Sequence, residues 1–148
     1  MFASDNWGNV YCFDAQSGES GWTASVDIFV AAGSTIAVYE GKVYVGCRGS
    51  VVNKLDENTG KLELKFQAPV STTYGSKSAP DFTNYAAFAS VTLSNNLLYV
   101  TEHSDLYCLS AHTGKIQFRR NFEHYILPAI AEDSRVFVAA DLWVFAYE

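Results

Sequence analysis

Apolar positions along the chain fall into three recurring patterns. Val43-Tyr44-Val45-Gly46-Cys47, Leu98-Tyr99-Val100-Thr101 and Val136-Phe137-Val138-Ala139-Ala140, with a stub at Phe2-Ala3-Ser4, run without polar alternation. Such runs mark strands inside a sheet that is covered on both faces. Lys61-Leu62-Glu63-Leu64-Lys65-Phe66 and Lys115-Ile116-Gln117-Phe118-Arg119 instead alternate charged and apolar residues. They predict half-exposed edge strands, with lysine guarding against stray pairing. Short stretches rich in small residues, at 34–38, 86–92 and 126–131, suit a crowded inner position. Together they predict units of four strands in a fixed order.

The units repeat. Asn9-Val10-Tyr11-Cys12-Phe13-Asp14-Ala15-Gln16-Ser17-Gly18 is matched by Asp105-Leu106-Tyr107-Cys108-Leu109-Ser110-Ala111-His112-Thr113-Gly114. A third copy, Ser50-Val51-Val52-Asn53-Lys54-Leu55-Asp56-Glu57-Asn58-Thr59-Gly60, keeps the strand, the acid and the closing Thr-Gly, and Val144-Phe145-Ala146-Tyr147-Glu148 begins a fourth. Asp14, Asp56, Ser110 and Glu148 recur at intervals of roughly forty residues, the length of a propeller blade. The second interval is the longest, and its surplus falls in residues 68–84, which hold two of the three prolines. A long inter-blade loop is expected there, and such loops often carry function. Asp56 and Asn58 suit turns that satisfy local backbone donors, and Gly60 suits a positive φ. Glu40-Gly41, Ser94-Asn95-Asn96 and Glu132-Asp133-Ser134 predict the turns between first and second strands.

Composition supports a folded all-β chain. Of 148 residues 49% are hydrophobic, 18% charged and 15% aromatic, with nine Tyr and ten Phe, a balance that favours pleated, half-buried surfaces over disorder. A net charge of −6 leaves no basic stripe for phosphates, so nucleic acid is excluded as a partner. Apolar runs are too short to span a bilayer as helices. The opening Met-Phe-Ala-Ser-Asp-Asn-Trp lacks the positive start and apolar core of a secretory signal, which predicts a cytoplasmic protein if Met1 is the true start. Cys12, Cys47 and Cys108, an odd number without metal-like spacing, are expected to be buried, reduced side chains.

The string from Ala3 to Trp22, with Asp5, Gly8, Tyr11, Asp14, Ala15, Gly18 and Trp22, resembles the PQQ-type (quinoprotein-like) propeller repeat. Later copies are degraded: Phe66 and Phe118 are expected to stand for the Trp, with a one-residue shift, and Ser50 and Ser104 for the first Gly. The resemblance implies an all-β fold of β-propeller blades: four four-stranded antiparallel sheets, the first and last incomplete. Residues 1–148 form one segment, with blades at approximately 1–26, 27–67, 82–123 and 124–148. It further implies one of three roles: a quinone-dependent dehydrogenase, an assembly lipoprotein that scaffolds outer-membrane machinery, or a sensor domain of a signalling protein. The dehydrogenases pair adjacent cysteines with a bound Ca²⁺ ion, and no vicinal Cys pair occurs here. PQQ and Ca²⁺ are therefore expected only if the chain is an enzyme fragment. By the same resemblance the compartment is the periplasm or cell envelope.

Candidate chemistry is sparse. No Gly-x-Ser-x-Gly elbow, phosphate loop or dinucleotide fingerprint is present. No two of His103, His112 and His124 stand four apart around an acid. The expectation is a noncatalytic module, without cofactor or metal, that presents loops to a protein or peptide. Its candidate contact residues are Trp7, Tyr74, Asp81, Phe82, Tyr85, His103 and Tyr125. Relatives close rings of seven or eight blades, and uncovered blade faces are broad and apolar. A homodimer that completes the ring is therefore expected, or membership of a longer propeller.

Overall fold

The computed structural model describes residues 1–26, 35–47, 51–67, 90–102, 104–124, 126–132, 135–140 and 143–147. These form fourteen strands in four antiparallel meanders. Sheet 1 holds β1 (Phe2–Ser4), β2 (Asn9–Phe13) and β3 (Ser20–Ser25). Sheet 2 holds β4 (Ile36–Tyr39), β5 (Lys42–Cys47), β6 (Val51–Asp56) and β7 (Leu62–Gln67). Sheet 3 holds β8 (Ser90–Ser94), β9 (Leu97–Glu102), β10 (Asp105–Ser110) and β11 (Ile116–Asn121), and sheet 4 holds β12 (Ile130–Glu132), β13 (Arg135–Ala140) and β14 (Trp143–Tyr147). The innermost strands β4, β8 and β12 lie side by side, so the sheets fan around a common axis as propeller blades. Pro128 interrupts the last of these, because it offers no N–H: Ile126 bridges Ala140 ahead of the break, and pairing resumes at Ile130.

Local chemistry explains the meander. β4 and β5 meet at a two-residue turn where Glu40 and Gly41 both have positive φ, at 47° and 72°. Asn95 and Asn96 repeat this between β8 and β9. A turn of this hand matches the twist of the strands that it joins. At the third-to-fourth turn of sheet 1, Asp14 Oδ1 accepts the Gln16 and Ser17 N–H groups, and in sheet 2 Asp56 Oδ1 accepts those of Asn58 and Thr59. Gly18, Gly60 and Gly114 close the three turns with φ near +70°.

Each sheet has a leading face, toward the next sheet, and a trailing face, toward the previous one. Val10 of sheet 1 packs with Val43, Val45, Cys47, Val51 and Leu55 of sheet 2. Tyr44 and Val52 of sheet 2 pack with Val91, Leu98, Val100, Tyr107 and Leu109 of sheet 3. Tyr99, Leu106 and Cys108 of sheet 3 pack with Val136, Val138 and Ala140 of sheet 4. β5, β6, β9 and β10 are buried on both faces because odd positions serve one interface and even positions the other. Thr35 adds a polar tie between sheets 2 and 3: its Oγ1 donates to the Val91 carbonyl at 2.7 Å and accepts the Val91 N–H at 2.9 Å.

Outer strands also dock on the following sheet. The Trp22 indole N–H donates to the Glu57 carbonyl at 2.8 Å, with the ring against Gly60. Pairing of Tyr11 with Thr23, Asn53 with Lys65 and Tyr107 with Arg119 makes Trp22, Leu64 and Phe118 equivalent. Leu64, not Phe66, therefore stands for the tryptophan in sheet 2, and it lies against Gly114. Phe118 takes the place in sheet 3 without a shift. The expected shift is absent because all three outer strands carry the same bulge, at Tyr11/Phe13, Lys54/Leu55 and Cys108/Leu109, which leaves the spacing from the turn glycine to the docking residue unchanged. The three cysteines form no disulfide: Cys47 and Cys108 are buried, as expected, while Cys12 is half-buried.

Candidate protein-binding face at the hairpin end

The hairpins between second and third strands gather at one end of the fan. Sheet 1 supplies the widest described one, at residues 5–8. Asp5 organises it: Oδ1 accepts the backbone N–H groups of Trp7 and Asn9, both at 2.9 Å, while Oδ2 accepts Asn9 Nδ2 at 2.8 Å and the Tyr11 hydroxyl at 2.7 Å. These donors, Asn9 foremost, hold the carboxyl at a pKa of about 2, and the hydrogen bond to Asp5 in turn pushes the Tyr11 phenol up. The backbone under Trp7 is thus fixed, and its side chain is 76% exposed.

Sheet 4 places a second tryptophan at the same end. Trp143 pairs with Ala140 across the mouth of its hairpin and is 72% exposed. Its register counterparts are Asn9, Val51 and Asp105. A tryptophan where two other copies carry polar residues was the signal that could have singled it out in the sequence.

Beneath this end lies a set of polar pairs, half-buried in sheet 1 and buried in sheets 2 and 3, that differ from sheet to sheet. Tyr11 meets Asp5 in sheet 1, and in sheet 2 their counterparts are Asn53 and Cys47, with Asn53 Nδ2 donating to Cys47 Sγ at 3.2 Å. In sheet 3 they are Tyr107 and Glu102, both buried. Asp105, fully buried, accepts Arg119 Nε at 3.1 Å, Arg119 Nη2 at 2.7 Å and Asn121 Nδ2 at 2.8 Å. The Arg119 guanidinium stands 5.5 Å over the Tyr107 ring. Burial first, then the Asp105 charge, pushes the Tyr107 phenol up to about 12 despite Arg119. Asp105 and Arg119 neutralise each other, which makes that pair a rigid support beneath the hairpin end.

Trp7 is the one candidate contact residue among the described residues. Tyr74, Asp81 and Phe82, in the stretch expected to form the long loop, and Tyr85 beside it lie outside them, as do His103 and Tyr125. Among the described residues no group of three or more His, Cys, Asp or Glu side chains converges as metal ligands.

A sequence profile of the family described as outer membrane protein assembly factor BamB matches residues 6–89, more than half of the chain. Among solved structures, BamB from Moraxella catarrhalis superposes with a TM-score of 0.63 at 15% identity, covering 90% of this chain and 38% of that one. The computationally designed Ika4 protein gives a TM-score of 0.76 at 12% identity, covering 99% of this chain and 82% of that one. The designed Ika8 protein gives 0.72 at 14%, covering 99% and 44%. No curated protein matches significantly. The chain thus spans well under half the length of the BamB structure that it resembles.

Proposed function

Because this chain belongs to the BamB-like family of PQQ-type propeller repeats, we propose that it is a noncatalytic scaffold that binds a protein through the hairpin end of its sheets. The supporting observation is the pair of exposed tryptophans there. Trp7 and Trp143 are rigidly mounted by a capped turn and by strand pairing respectively. Large aromatic side chains held in place at a surface are what binding hot spots are made of, since they bury area with little further ordering. In this reading the chain uses neither cofactor nor metal and works in the cell envelope, where outer membrane proteins are assembled. Tyr74, Asp81 and Phe82 of the expected long loop, with Tyr85 beside it, join the contact, and a second copy of the chain completes the ring.

The test is site-specific photocrosslinking in producing cells. A crosslinking side chain at position 7 or 143 is expected to yield one discrete polypeptide adduct, the same from both positions. A control at Asn58, at the opposite end of sheet 2, should yield none. Adducts confined to position 58, or none from either tryptophan position, would overturn the assignment.

A further inference from the structure

One position is treated differently in sheet 4. Val10, Val52, Leu106 and Val144 are equivalent third-strand residues on the leading faces of the four sheets, as the pairing registers show. The first three are at most 2% exposed, each covered by the next sheet, but Val144 is 71% exposed. Beside it Phe137 is the counterpart of Tyr44 and Tyr99, both buried at interfaces between sheets, and it is half-buried. Ile130, across from Phe137, is 66% exposed. The trailing face of sheet 1 shows the complementary departure: Tyr11 and Phe13 are half-buried, whereas Asn53 and Tyr107, and Leu55 and Leu109, in the same places, are closed off by the preceding sheet.

We propose that the leading face of sheet 4 packs on the trailing face of sheet 1 of a second copy, head to tail, so that two copies close one ring of eight sheets. This deepens the scaffold reading above by specifying how its ring is completed, and it rests on that reading. The occupant follows from continuity. Three interfaces inside the chain already join leading-face apolar residues to the trailing-face residues of another sheet of the same repeat, and the two uncovered faces are one of each kind. Phe137, Ala139, Val144 and Ala146 bring no charge to the contact. A head-to-tail contact that recurs after a half-turn forms a closed pair in place of an open fibre. Each copy carries a net charge of −6, so salt, by screening that repulsion, tightens the pair.

Sedimentation equilibrium of the 148-residue chain at micromolar concentration is expected to give twice the chain mass, more firmly at high salt. Val144→Glu and Phe13→Glu should each weaken the pair by about a hundredfold or more, because each buries an unpaired carboxylate at both joints. Far-UV circular dichroism verifies that both variants stay folded. Mixing the two variants restores one unmodified joint and recovers a weak dimer, which neither variant forms alone. A monomeric parent chain, a dimer indifferent to both substitutions, or no recovery on mixing would each overturn the proposal. Val144 faces the opposite side of its sheet from Trp143, and Phe13 stands at the far end of β2 from Trp7, so the crosslinks from positions 7 and 143 report separately on the scaffold assignment.

Discussion

Trp22 of sheet 1 and Gly60 of sheet 2 fit so closely that a Cβ on the glycine would stand 2.5 Å from the indole ring. The indole N–H donates to the Glu57 carbonyl in the same turn, so the contact fixes both the distance and the rotation of one sheet against the next.

Gly18 provides the internal control for that fit. Both glycines have φ near +70°, but a Cβ at Gly18 would meet nothing within 4 Å. Gly18→Ala is expected to lose about 1 kcal/mol, from backbone strain alone. Gly60→Ala adds the displacement of the indole and should lose about 3 kcal/mol. Urea unfolding of the two variants measures the difference, and equal losses would show that the ring gives way freely.

Arg119 and Asp105 supply a second comparison. Arg119→Ala leaves a fully buried carboxylate with one of its partners gone and is expected to cost about 2 kcal/mol or more. Asp105→Asn keeps the shape and removes the charge, so the smaller loss belongs to it. Chemical denaturation should also show the double variant losing less than the sum of the two single losses.

Acid stability follows from Asp5 and Asp56, both held at about 2 against an ordinary 3.8, Asp5 chiefly by Asn9 and Asp56 chiefly by Lys42 at 2.9 Å. Folded carboxylates with depressed pKa values bind fewer protons than unfolded ones. Their contribution is therefore complete above about pH 4 and is lost as pH falls through about 2. Thermal melts should decline over that window, and Asp5→Asn or Asp56→Asn should flatten the decline. Tyr107 gives the alkaline counterpart: with its phenol pushed up to about 12, stability is lost as pH rises from 10 through 12.

Glu40 occupies a turn position with φ of 47°, ahead of Gly41. Asparagine tolerates that left-handed conformation better than glutamate, and Asn-Gly is the preferred pair for this turn. Glu40→Asn is expected to stabilise the chain by about 0.5 kcal/mol, read as a higher midpoint in a thermal melt.

The architecture was legible because its determinants are local. Asx turns, Thr-Gly closures and runs apolar on both faces each announce a strand or hairpin within ten residues, and each was found where expected. What escaped depends on register. Pairing identifies Leu64 as the counterpart of Trp22, where the aromatic character of Phe66 pointed two residues further on, and the succession Asp5–Tyr11, Cys47–Asn53, Glu102–Tyr107 emerges only when strands are laid side by side. Trp143 stands just ahead of the run that begins at Val144 and escaped notice, because pattern alone does not tell which end of a strand meets solvent. Of the seven candidate contact residues, Trp7 could be read from its loop, since a tryptophan between Asn6 and Gly8 has no strand in which to bury itself.

The recurring bulge has a consequence for the rim of the wheel. In sheets 2 and 3 the extra residue, Glu63 or Gln117, belongs to the outer strand and immediately precedes the docking side chain. Each blade is therefore longer at its rim than one strand inward, and the added length both steepens the twist and aims the rim at its neighbour. A single unpaired residue thus sharpens the turn of each described rim, and deleting it from one spoke would slacken the twist of that spoke.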